Sequence, residues 1–478
     1  MHLTGTANDE FRLATPQFIE ALSETRARTL QLVEDLTDSQ LIGPRLQIVN
    51  PLRWELAHIA WFQEFWVLRH LGNQSPILND GDELYDSARV AHDTRWDLPM
   101  LERDETLAYM RRVLERVIDL AGNAGPELTN AEGYNREYFL NLVLLHEQMH
   151  DEAITYTRQT LSYSAPVIAA VNKGHFPKHD ASLTQINNDL TSDAEIPGGM
   201  FILGSASEPS FAFDNELLTH EVEIAPFTIA SGTKLRPSVG LTPSTSNKTA
   251  VTNGDFKHFV EDGGYRRSDL WTAEGWQWRT AAMAECPLYW QREENSRWLR
   301  RKFDEWLALD DRLPVIHVNW YEASAYCRWA NRRLPTETEW ETVASAEQSP
   351  NGLGLAEHRR RYPWGDDSPT LELANLDWNA LECVPIDALP AGDSAFGCRQ
   401  MIGNVWEWTA SDFQPYPGFI AGPYKEYSEP WFGNHKVLRG GCWATRSRLI
   451  HNSYRNFYTP DRRDVWAGFR TCALQTWQ

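Results

Sequence analysis

Basic residues are scarce in this chain. Lys and Arg number 45 against 66 Asp and Glu, a formal charge of −21 over 478 residues. A surface so acidic repels phosphate backbones, which excludes general nucleic-acid binding but leaves room for a local basic pocket. Long apolar runs are missing as well. Stretches such as Ile59–Trp61 and Leu142–Leu145 fall far short of the roughly 20 residues of a membrane span, so no membrane partner is expected. Met1–Glu10 has no basic start and no apolar signal core, and a cytoplasmic location is expected. Cysteine is sparse: six residues, none in C-x-x-C spacing. That excludes a zinc knuckle or a thioredoxin motif and leaves free thiols as the expectation in a reducing compartment.

What is present is ordinary globular composition, 42% hydrophobic and 23% charged, which excludes a disordered or fibrous chain. The outlier is tryptophan, with 21 residues. Indoles in that number suit aromatic-walled pockets or a loop-rich core.

The first 162 residues read as helices. Phe18, Leu22, Leu30, Leu32 and Val33 recur at helical spacing between Thr15 and Leu36. Pro51 stands where a first turn tolerates it, followed by Trp54, His58, Trp61, Phe62 and Phe65. Asp104 and Asn135 offer caps for two further helices, through Leu120 and past Tyr156. Four helices with medium connections predict a four-helix bundle. Periodicity fades over 163–195, read as a linker. From 196 to 478 glycine, proline and tryptophan are dense and apolar runs short, predicting a loop-rich α+β domain. Within it, 231–250 is polar with almost no large apolar residue and reads as a surface insertion.

His146 and His150 are four apart in HEQMHDE, which on a helix puts both imidazoles on one face. Phe139, Leu142, Met149 and Ala153 share their stripe, so the rings point into the core. His58 lies on another core stripe and can complete a three-histidine site. A second i,i+4 pair, His175 and His179, has Pro177 between its members and reads as chance. Imidazole ligation suits iron, zinc, copper or nickel, and spacing alone does not choose. Three separately hydrogen-bonded core histidines are the bland alternative.

The segments NPLRWELAHIAWFQEFWVLRH and LLHEQMHDEA resemble a DinB-type bundle. IPGGMFILGS, PVIHVNWYEASAYCRWANRRLPTETEWE, GNVWEWTASDF, LRGGCWATR and AGFR resemble the formylglycine-generating-enzyme (sulfatase-modifying factor) domain, a C-type-lectin-like α+β fold. The two together resemble the ergothioneine-biosynthesis sulfoxide synthases and their ovothiol and selenoneine relatives. These use iron(II) and O₂ to join sulfur or selenium to the imidazole of histidine or hercynine. The resemblance implies Fe(II) at His58, His146 and His150, and an active site served by both domains. It implies a catalytic tyrosine after GNVWEW, with Tyr424 the best match and Tyr416 and Tyr427 as alternatives. It also implies that Asn456 and Phe457 contact the trimethylammonium group of hercynine.

The chain departs from the family pattern at three places. Met149 stands where a glutamine would touch substrate. His92 and Arg95 stand in place of an arginine pair that holds the carboxylates of a γ-glutamyl donor. Tyr458 replaces an acidic residue that would hold the donor amine, with Arg462 nearby as an anion binder. One arginine fewer weakens the case for a γ-glutamyl donor. A selenosugar and a cysteine-type thiol both remain open as donors.

Three rivals are weaker. A formylglycine-generating enzyme needs a cysteine pair where this chain has Thr445 and Ile450. A zinc-dependent DinB-type thiol transferase would use the same histidines. A non-catalytic lectin-like binding module leaves three converging histidines unexplained.

Overall fold

The computed structural model describes residues 15–123, 134–168, 193–206, 211–229, 249–352 and 354–474. Most of the expected linker and polar insertion, together with His175 and His179, lies outside the described residues. The chain forms two compact units: Met1–Ala169 with Ser207–Phe211, and Ala170–Ala206 with Ala212–Gln478.

The first unit is built on four long helices. α1 (Thr15–Gln31) precedes a short α2 (Asp38–Ile42), and α3 (Leu52–Gln63) follows Pro51. The short α4 (Gly81–Tyr85) leads to α5 (Arg103–Asn123) and α6 (Arg136–Thr160). Asn135 caps α6 by accepting from the Tyr138 amide at 2.9 Å, as Asn at an N-cap does. Asp104 lies inside the first turn of α5 rather than at its cap, where its charge still favours the helix dipole.

α3 does not stop at Gln63. It widens into a π-helical stretch, Glu64–Leu71. Glu64 is buried there and accepts from the Tyr109 hydroxyl at 2.8 Å and the Ile77 amide at 3.1 Å. Burial pushes its carboxyl above the usual carboxylate range despite these bonds. π-turns of this kind collect at functional sites. Among the described residues no helix is long and apolar enough to cross a membrane.

The second unit is assembled from short strands. Trp406–Asp412 pairs antiparallel with Lys436–Arg439, which pairs in turn with Asn456–Tyr458; Ala467–Gly468 joins the other edge in parallel. A second four-stranded sheet brings Ala194–Ile196 and Phe227–Ile229 beside Cys472–Ala473 and Arg332–Arg333. A three-stranded meander, 290–308, stands apart from both.

Tryptophan glues these pieces. Trp340, Trp406, Trp408 and Trp443 are fully buried, and the indole N–H of Trp340 donates to Glu407 at 2.8 Å while that of Trp408 donates to the Val318 carbonyl at 2.9 Å. Buried ion pairs accompany them: Arg470 with Glu407, Arg455 with Glu337 and Arg439 with Glu341. The Arg439-Gly440-Gly441 turn needs its glycines. Gly440 has φ +95°, and a Cβ there would meet the Met401 carbonyl oxygen at 2.4 Å.

Candidate metal centre and aromatic cluster

His146 and His150 lie one turn apart on α6, and His58 faces them from α3. Ring centroids are 5.2 Å from His58 to His146, 5.0 Å from His58 to His150 and 4.5 Å between the α6 pair. One ligand nitrogen from each lies within 4.8 Å of the others. The convergence expected from helical spacing is therefore present.

Hydrogen bonds aim these rings. His58 Nδ1 donates to the Tyr85 carbonyl at 2.7 Å, and His150 Nδ1 donates to Glu55 Oε1 at 2.7 Å. Each bond fixes the proton on Nδ1 and leaves the Nε2 lone pair for a ligand. His150 Nε2 faces His146 Nε2 at 3.2 Å. Both nitrogens would be available as ligands to one metal ion.

Burial is the main reason His58 and His146 are held well below the usual histidine range, and the neighbouring His150 lowers both further. Neutral imidazole is the form that binds metal. Aromatic faces close the sides. Phe62 stacks on His146 with centroids 3.5 Å apart, and Trp54 on His58 at 4.9 Å.

Glu55 was not singled out by sequence. It is 2% exposed and sits three residues before His58 on the same helix. A carboxylate one turn from a candidate ligand was the available signal, but acids are common in any first turn. Glu147, between the two α6 histidines, was also missed. Its buried carboxylate accepts from Arg26 at 2.7 Å, Gln63 at 2.6 Å and Thr29 at 2.7 Å. This network ties α6 to α1 and α3 directly behind the histidines.

Of the other expected site residues in this unit, Met149 is half-buried beside the ligands on α6. Arg95 is buried with its guanidinium 3.9 Å over Trp54, the ring that stacks on His58. It donates to Asn50 Oδ1 at 2.7 Å and the Val90 carbonyl at 3.2 Å. Burial lowers it to about 10, so it remains cationic at neutral pH. His92 is hydrogen-bonded through Nε2 to the Val49 carbonyl at 2.8 Å.

The remaining expected residues belong to the second unit. Phe457 lies face-on to Phe413 with centroids 4.0 Å apart, in a core cluster with Val437. Tyr427 contacts Phe457 at 5.3 Å, and Tyr424 stacks on Tyr427 at 5.8 Å. Tyr424, Tyr427 and Phe457 thus form one run of rings. Asn456 accepts from the Phe457 amide at 2.8 Å. The Arg462 guanidinium lies over the Tyr458 ring and forks onto Asp464 at 2.7 and 2.9 Å. Tyr416 is separate from the run. Its hydroxyl donates to Glu337 at 2.5 Å, inside the buried ion-pair network.

Residues 21–154 match the DinB superfamily, and residues 236–474 match the sulfatase-modifying factor enzyme 1-like domain. The class is thereby set: a DinB-type bundle with a candidate three-histidine metal site, joined to an α+β sulfatase-modifying-factor domain. A hercynine oxygenase from Mycobacterium tuberculosis is 35% identical over 454 residues, which cover 94% of this chain and 96% of that protein. One from Mycolicibacterium smegmatis is 33% identical over 467 residues, 96% and 99% of the two chains. A formylglycine-generating enzyme from Streptomyces coelicolor is 30% identical, over 58% of this chain and 87% of its own. The chain belongs to the hercynine oxygenase family, and it is an oxygen-dependent oxidoreductase.

Proposed function

We propose that this enzyme joins sulfur or selenium to the imidazole of hercynine in an O₂-dependent reaction, with iron(II) held by His58, His146 and His150. The observation that carries the reading is the convergence of three imidazole nitrogens, two of them oriented by partners on Nδ1. An all-imidazole set suits a first-row transition metal and leaves coordination positions for substrates. Iron(II) bound there would supply the one-electron and O₂ chemistry that forms a C–S or C–Se bond.

The chain's own residues do the rest. Glu55 and the Tyr85 carbonyl orient the rings. Hercynine's quaternary ammonium forms no ordinary hydrogen bond and needs aromatic faces, which the run Tyr424, Tyr427 and Phe457 supplies, with Asn456 beside it. Tyr424 moves the proton. It is half-buried; Tyr416 lies in the Glu337 network and the Tyr427 hydroxyl 3.2 Å from that of Tyr454. Burial pushes both of those phenols well above their ordinary range.

The donor pocket favours a substrate of low charge. Arg95 stands alone where a pair of arginines would hold the carboxylates, and part of its guanidinium is engaged by Asn50, Val90 and the Trp54 face, while His92 is bonded to a carbonyl. That supports a selenosugar or a simple thiol over a γ-glutamyl donor. The test is a competition in one pot. Iron(II)-loaded enzyme, air and hercynine are offered γ-glutamylcysteine, cysteine and a selenosugar, and products are read by mass spectrometry. A selenium or cysteine adduct is expected. A dominant γ-glutamylcysteine adduct would overturn the donor reading. Turnover by zinc-loaded enzyme without O₂ would replace the whole reading with a thiol transferase.

A further inference from the structure

The second unit holds a cavity of about 20 Å³ that the reaction above does not use. Its walls include Tyr289, the strand residues Arg300, Arg301 and Lys302, His317, and the indoles Trp443 and Trp466. The two indoles meet edge to face at 4.7 Å, and His317 lies 4.8 Å from Trp466 and 4.8 Å from Tyr289. Trp443, Trp466 and His317 are 1%, 3% and 4% exposed.

Several polar atoms of these walls are unsatisfied. Neither indole N–H finds an acceptor among the described residues, nor does the Nε–H of Arg300. Each such orphan is costly, and folded proteins seldom leave several together. The Glu382 carboxylate is paired with Arg300 at 2.6 Å and Lys302 at 3.0 Å, and the Cys383 thiol donates to the Asn404 carbonyl.

Backbone geometry gives an independent sign. Tyr289, His317 and Leu381 all line this cavity, and all have positive φ, at 70°, 61° and 54°. Bulky residues seldom adopt that conformation, and its cost is tolerated where a site is being shaped. Charge points the same way, since three cationic side chains stand against the single carboxylate of Glu382. Burial and then the Arg301 charge push His317 down to about 3, against a weaker opposing pull from the backbone of Arg463 and Asp464. It is neutral at physiological pH and offers one N–H.

The volume admits one water-sized occupant. A water molecule would accept from two donors but must also place its own two hydrogens against walls made mostly of donors and cations. A monatomic anion accepts from every donor and answers the positive charge. We propose that Trp443, Trp466 and Arg300, with His317 in the wall beside them, form a binding site for a small monovalent anion of the halide class. The ion would fasten the 290–308 meander to the C-terminal segment through Trp466, whose carbonyl also accepts from the Trp406 amide at 3.0 Å.

The experiment uses the full-length protein in potassium gluconate, titrated with sodium chloride or sodium bromide at constant ionic strength. Thermal unfolding should shift upward and saturate with either halide and stay flat with added gluconate. Crystals grown in bromide should show an anomalous peak within hydrogen-bonding distance of both indole nitrogens. Trp466→Phe, which keeps an aromatic ring but removes the N–H donor, should weaken halide binding by roughly tenfold or more. Should that variant not fold, Arg300→Gln at the cavity edge gives the same comparison, and the wild-type titration stands without either. Equal stability in gluconate and bromide overturns the proposal. So does a bromide peak without any stability effect, which means binding at crystal concentration only, or density that refines as water in saturating bromide.

Discussion

Two buried polar clusters, one in each unit, end differently. Around His58 and His150 the hydrogen bonds are one-sided: each ring gives Nδ1 to a neighbour and keeps its Nε2 lone pair. Around Glu337, Glu341 and Glu407 in the second unit, each carboxylate is consumed by an arginine. The first arrangement leaves valence for something the chain does not contain. The second leaves none and serves to hold short strands and loops in place. Buried polarity therefore says little by itself. What matters is whether the network closes on protein atoms or stops short of closing.

The largest test of that contrast removes a ligand. His146→Ala should abolish metal retention, read by elemental analysis, and with it product formation, while helix content by circular dichroism stays near wild type. Next comes the support behind the ligands. Glu55→Gln removes the charge that orients His150, and metal affinity in a competition titration should fall about 10- to 100-fold, the usual effect of losing such a partner.

A tyrosine pair sharpens the comparison further. Tyr416→Phe takes a donor from the closed network and should cost about 1–3 kcal/mol in chemical denaturation, with the product ratio unchanged. Tyr424→Phe should alter the ratio of coupled product to oxidised donor and leave stability nearly intact. The reverse pattern would exchange their roles.

The smallest effect concerns pH. Burial raises the Glu216 carboxyl to about 8, despite the opposing influence of Arg439 and Arg455. The folded state then holds a proton that the unfolded chain releases near its ordinary pKa. The stability this contributes is complete at acid pH and is lost as pH rises through about 8. Glu216→Gln mimics the protonated acid and should flatten this component of a melting-temperature profile between pH 5 and 9.

Helical regularity explains what could be read in advance. Once α6 is a helix, a four-residue spacing places His146 and His150 together, and the apolar residues around them fix which way they face. The bundle and the three histidines were legible for that reason. Asn135 was legible as a cap because its side chain acts locally. Loops offer no such rule. Tyr416, Tyr424 and Tyr427 are alike in sequence, and only the Glu337 network and the stacked rings tell them apart. Phe457 reads equally well as a substrate contact or as core until its partner Phe413, far away in the chain, is known. The unsatisfied indoles of Trp443 and Trp466 could not be read at all, because an absent partner leaves no mark in a sequence.

The wide turn at Glu64–Leu71 sets a length. A π-turn holds more residues than an α-turn, so removing one residue would let α3 continue with ordinary pitch. Everything after it would then rotate by roughly 100° about the helix axis. The chain from there leads to Tyr85, whose carbonyl decides which nitrogen of His58 carries the proton. A single deletion in this stretch, which holds none of the three candidate ligands, would thus act as a tuning error at the candidate metal centre: the ring would still be present, but it would be offered by the wrong edge.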